Sequence, residues 1–246
     1  REHQNRLNHP HRERLDHVHC ERRSTEGAPT FTPPRRGSST GFDHCSPSMT
    51  SCSLLYARHR DSSDHDHVVA DLASRFDAVL EALESDPDWV LNRVTPGKII
   101  LGSLGDIEAG VRQLMRRQPL QVHVVTLPGG AALTVPTAAE TLRIKGYLIV
   151  KRNQTRDYVD VAALADRFGF PASAAVLSTL DDYYDATVGD KTAVASQLLR
   201  QLGHPRPKDS QTTTQLSHYR NLTPRWASWS AIVQQCQKIA DAMLTG

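Results

Sequence analysis

The chain has 246 residues, 39% hydrophobic and 23% charged, with a formal net charge of +2. That length accommodates one large domain or two small ones with a real core, and a charge so near neutral does not by itself diagnose nucleic-acid binding. No run approaches the ~18–20 apolar residues a bilayer span requires, and no apolar leader opens the chain, so neither a membrane protein nor a secreted one is expected.

Residues 1–48 hold five strongly apolar side chains, Leu7, Leu15, Val18, Phe31 and Phe42, among runs such as HPHRER and TPPRRGSS. A segment so poor in apolar surface cannot offset its ordering entropy, so disorder is expected over 1–58. Nine of the twelve histidines fall in the first 67 residues, and the chain opens on Arg rather than Met. These features suggest a fragment, a fusion or an out-of-frame stretch. A metal-binding tail built from His17, His19, Cys20, His44 and Cys45 would need tight ligand pairs at finger-like spacing, which are lacking. Cys20, Cys45, Cys52 and Cys236 are read as reduced thiols of a cytoplasmic protein.

From about residue 68 the pattern becomes regular. Val68–Ala70 would end a short strand, and Leu72–Glu84 carries Phe76, Val79, Leu80 and Leu83 on one side of a helix. Trp89–Val94 and Lys98–Leu104 flank Thr95-Pro96-Gly97, a hairpin signal, and Val122–Leu127 and Ala131–Val135 flank Pro128-Gly129-Gly130, a second. Ile107–Met115 fits strand or helix. Helices follow: Thr137 with Glu140 forms a capping box for one containing Lys145; Thr155 would cap the next and Gly169 end it. Two more are expected at about 171–185 and 189–202, then a polar loop over 203–222. A last helix starts at Thr223-Pro224, with Trp226, Trp229, Val233, Cys236, Ala240 and Met243 in one stripe. The fold class is α+β, with a small mixed sheet first and a helical half after it. The expected divisions are 1–58, 59–136 and 137–246.

Two constellations carry chemistry. Asp64-His65-Asp66 precedes the apolar pair Val68-Val69, and on a strand residues i and i+2 face the same way, so Asp64 and Asp66 could hold one cation. The bland reading is a solvated loop. Lys145 lies in an apolar helix pattern, and Arg156-Asp157-x-x-Asp160 opens the helix after it, with Asp157 and Asp160 on one face. Buried ionisable groups must be paired or bound to something; the bland reading is a salt-bridge cluster between adjacent helices. Glu108 is a third candidate carboxylate. Arg112, Arg116 and Arg117 with Lys98 offer a basic surface.

The stretch ETLRIKGYLIVKRNQTRDYVDVAALADRFG, together with His59-Arg60-Asp61-Ser62-Ser63-Asp64-His65-Asp66, resembles the AbiEii/AbiGii-type nucleotidyltransferase toxins. The similarity extends over about residues 59–246 and is strongest over 93–169. It implies a polymerase-β-like core in which Asp64 and Asp66 hold Mg²⁺ and Ser62 lies near the triphosphate. Lys145 and Arg156 would neutralise phosphate, and Asp157 or Asp160 would orient those cations or act as base. The implied activity is transfer of a nucleoside monophosphate from an NTP to an acceptor, RNA such as tRNA, by a cytoplasmic toxin with a cognate antitoxin and no membrane partner. On that reading Lys145→Ala abolishes transfer and leaves the fold intact.

The chain departs from the pattern at Met49–Leu55, where a glycine-rich helix opening belongs, and at His65 and His67, where apolar or aromatic residues belong. The alternative is therefore a non-catalytic remnant that binds a partner or nucleotide. A basic, His-rich nucleic-acid-binding tail on an unrelated helical domain is the third reading.

Overall fold

In the computed structural model, the described residues are 49–61, 64–126, 130, 132–186 and 192–246. The expected disorder of 1–48, the histidine and cysteine tail, and Ser62 lie outside them.

The α+β class holds. A four-stranded mixed sheet has the order β1-β4-β3-β2, where β1 is Asp64–Val69, β2 Trp89–Thr95, β3 Ile99–Leu104 and β4 Ile107–Gln113. β1 runs parallel to β4; the other pairings are antiparallel. The first hairpin falls where its turn residues place it. Gly97 at φ 68° closes β2 to β3, a left-handed conformation cheap only for glycine. The second hairpin is a separate two-stranded sheet, β5 (Val122–Thr126) with β6 (Ala132–Pro136). The ambiguous stretch is strand β4, because pairing on both sides satisfies its backbone.

One sheet face is covered by α2 (Leu72–Glu84). Strand alternation brings Val69, Val111 and Ile100 to that face, where they pack with Leu72, Phe76 and Val79. The opposite face takes Asp66, Gly110, Arg112 and Leu101 by register, with Asp64 paired to Glu108.

The second core is larger and helical. It is built from α3 (Ala138–Arg152), α4 (Thr155–Phe168), α5 (Phe170–Ser178), the short α6 (Leu180–Tyr183), α7 (Val194–Gly203) and α8 (Trp229–Thr245). Half of the capping box forms: the Glu140 amide donates to Thr137 Oγ1 at 3.2 Å, whereas the Thr137 amide donates to the Gln121 carbonyl at 2.9 Å and the Glu140 carboxylate turns to Arg116 and Arg143. Thr155, by contrast, is the first helical residue rather than the cap, and its amide and hydroxyl both donate to Asp209 Oδ1, at 2.8 and 2.9 Å. The expected helix at 171–185 is split at Thr179, and the polar loop contains 3-10 turns at Ser210–Thr214 and Leu216–His218. The final stripe is also divided. Trp226 is buried in a separate 3-10 turn, and Ile232 and Ile239 join Cys236 and Ala240 in the core.

One correction concerns the segment before residue 59. Met49–Ala57 is a helix, α1, that packs on α3 and α4, so order begins before the expected boundary at 58. Tyr56 and Ala57 supply apolar contact with the helical core, which gives this stretch the burial its own composition does not advertise.

Candidate functional site

The turn between α3 and α4 organises the charged cluster. Asn153 adopts φ 54°, ψ 54° at the end of α3, a left-handed cap that asparagine tolerates. Tyr158 donates its hydroxyl to Asn153 Oδ1 at 2.6 Å, which ties the turn to the first turn of α4.

Lys145 from α3 and Asp160 from α4 then meet in the core, Nζ to Oδ2 at 2.8 Å, both fully buried. Asp160 holds two further groups from the segment after α1. His59 Nε2 is 2.7 Å from Oδ1, and the Arg60 Nε and Nη2 donate to Oδ1 and Oδ2 at 3.1 and 3.2 Å. A carboxylate only accepts, so His59 Nε2 carries the proton. Burial pushes the Asp160 carboxyl up, but Lys145, Arg60 and His59 outweigh it and hold the group well below the usual carboxylate range.

Asp157 is equally buried. Arg152 Nε and Nη2 donate to its two oxygens at 2.7 and 2.6 Å, a bidentate fork. Burial works against the Arg152 charge, yet the bonds to Asp157 and the charges of Asp160 and Asp66 raise its pKa above the ordinary value. Arg156 is half-buried, with its Nε enclosed and without a hydrogen-bond partner among the described residues.

A second buried knot lies at the start of α3. Glu140 accepts from Arg116 through both oxygens and from Arg143 Nη1 at 2.9 Å. Both guanidinium groups lie over the Tyr183 ring, at 4.8 and 4.0 Å from its centroid. Arg116 also donates to the carbonyls of Gln118 and Pro119. Arg117 donates to those of Asp181 and Tyr184, so the segment after β4 is strapped to the helical core.

The structure brings Lys145, Asp160, Asp157 and Arg152 together and sets Asp66 near enough for its charge to reach Arg152. Asp64 occupies the β1 position opposite Glu108, two residues before Asp66. Asp66 itself is paired with Arg112, Oδ2 to Nε at 3.1 Å. Mg²⁺ would need these carboxylates as donors, and among the described residues no group of three His, Cys, Asp or Glu is placed to hold a metal ion. Asp66, Asp157 and Asp160 are each taken up by a cationic side chain of the protein.

His59, Arg60, Arg152, Arg116, Arg143 and Glu140 carry the partnerships, yet sequence reasoning gave them no role in the cluster. The signal for Glu140 and Arg143 was present, an acid and a base at i and i+3 in an apolar helix. Nothing local pointed His59 to a residue 101 positions away.

No family model matches the chain. Curated relatives do. It is 39% identical over 129 residues to "Heme uptake protein MmpL11" of Mycobacterium tuberculosis, a match covering 52% of this chain and 13% of the relative. It is 40% identical over 130 residues to "Mycolic acid-containing lipids exporter MmpL11" of Mycolicibacterium smegmatis, covering 52% and 13%. It is 40% identical over 129 residues to "Probable transport protein MmpL11" of Mycobacterium leprae, covering 52% and 12%. The match spans about an eighth of the relatives' length. Since it takes in half of this chain, it extends past residue 48 into the described residues.

These relatives overturn the expected identity. The resemblance to AbiEii/AbiGii-type toxins, the nucleotidyltransferase activity, the NTP and RNA partners and the antitoxin all fall, because proteins sharing two fifths of the matched residues are named for transport. The geometry accounts for the misreading. An ionisable pattern at helical spacing marks a buried charge network as readily as a phosphate site, and here Lys145, Asp157 and Asp160 are paired within the protein.

Proposed function

We propose that this chain contributes a domain that does not itself span the membrane to a transport protein of the MmpL11 kind, working on the cytoplasmic side. The match to the MmpL11 proteins carries the reading. Two features agree with it. No helix among the described residues is long and apolar enough to cross a membrane. Lys145, Asp157, Asp160 and Glu140 are fully buried against charged partners, which suits a structural interlock better than groups that must meet a substrate. In this reading the sheet part, 59–136, and the helical part, 137–246, act as one unit, joined through His59 and Arg60 to Asp160 and through Arg116 to Glu140. The cargo would be of the class the relatives' names give, haem or mycolic acid-containing lipid.

A chimera tests this. In MmpL11 of Mycolicibacterium smegmatis, the 130 matched residues are replaced by those of this chain, and the chimera is expressed in a strain lacking its own copy. Restored export of mycolic acid-containing lipids is expected. A chimera present in the membrane at the parental level that exports none overturns the reading.

A further inference from the structure

We propose that the Arg112 guanidinium is a built-in counter-ion for the acidic face of the four-stranded sheet and keeps divalent cations off Asp66. The observation is the way the sheet register delivers a cation to that carboxylate. Asp66 pairs with Gly110 and Val68 with Arg112 on the same face, so the Arg112 side chain lies diagonally across from Asp66 and closes to 3.1 Å.

Gly110 makes the contact feasible. A Cβ at that position would stand 2.5 Å from Asp66 Oδ1 and 2.6 Å from Leu101 Cδ2, so a larger residue there would push the carboxylate and the Leu101 side chain aside. Glu108 is exposed one step away on the same face, opposite Asp64. A carboxylate on a partly open face attracts a cation. At Asp66 the cation is supplied by the chain itself, Arg112 Nε at 3.1 Å.

The pair is partly open to solvent, 39% for Arg112 and 28% for Asp66. Exposed ion pairs add little stability, so Arg112 can be removed without unfolding the sheet, and the thermal midpoint should stay within a few degrees of the parent.

The test is Mn²⁺ binding to the full chain, followed by the paramagnetic resonance of the unbound ion. The parent should bind weakly. Arg112→Ala, and Arg112→Gln as a variant keeping the side-chain stem, should bind about ten-fold more tightly, because a positive charge beside the ion is gone. Adding Asp66→Asn should erase that gain. Arg93→Ala removes a charge from the same sheet face, since Arg93 pairs with Leu101, and should leave binding unchanged. Equal affinity in the parent and both Arg112 variants overturns the proposal. So does a gain that survives Asp66→Asn, or one that Arg93→Ala reproduces.

Discussion

Lys145 Nζ and Asp160 Oδ2 stand 2.8 Å apart with both side chains fully buried, and this pair fastens α3 to α4. It also fastens both helices to the segment after α1, since Asp160 accepts from His59 and Arg60 as well. One carboxylate therefore satisfies three cationic or donor groups from two distant parts of the chain.

Removing one member leaves the others charged, buried and mismatched. Lys145→Ala should cost about 3–5 kcal/mol of stability, measured as a fall in the urea midpoint at unchanged slope. Asp160→Asn should cost more, because it deprives three partners at once. This reverses the expectation that Lys145→Ala leaves the fold intact. An unchanged midpoint for Lys145→Ala would show that the ammonium is not bound in this network.

The acid limb of the stability curve should have two parts. The His67 pKa is lowered below 6.5 by burial, with His65 adding to the shift and Asp66 opposing it. Its folded form therefore disfavours the proton that the unfolded chain accepts. The neutral imidazole's contribution is complete above about pH 6.5 and is lost as pH falls toward the folded value, at no more than about 1.4 kcal/mol per pH unit. Asp160 acts lower. Its folded pKa is well below 3.8, so its contribution is complete above about pH 4 and fades as pH drops through the folded value. Thermal midpoints at pH 7.5 and 5.5 separate the two. His67→Leu should flatten the difference, whereas an equal difference in parent and variant would assign it to another group.

Glu140 should behave as a latch. Its two arginine partners lie against Tyr183, and Arg116 also holds the carbonyls of Gln118 and Pro119. Glu140→Gln should cost about 3–5 kcal/mol, since two buried guanidinium groups lose their counter-charge. Amide exchange over residues 114–121 should rise well above that elsewhere in the chain. If exchange there is unchanged, the segment is held by Arg117 and its carbonyl partners alone.

Much of the architecture was legible in the sequence because its signals are local. Pro96-Gly97 specified a turn, apolar spacing in Leu72–Glu84 specified a one-sided helix, and Thr137 with Glu140 specified where α3 begins. The need to pair Lys145, Asp157 and Asp160 was likewise legible from charge set among apolar neighbours. Their partners were not. His59 lies 101 residues from Asp160 and Arg116 lies 24 from Glu140, and such distances along the chain leave no periodic trace. Nor does sequence spacing distinguish a buried charge that awaits a ligand from one already matched within the fold. That choice depends on which opposite charge comes within about 3 Å once water is gone. For Lys145, Asp157 and Asp160, only the tertiary structure made it.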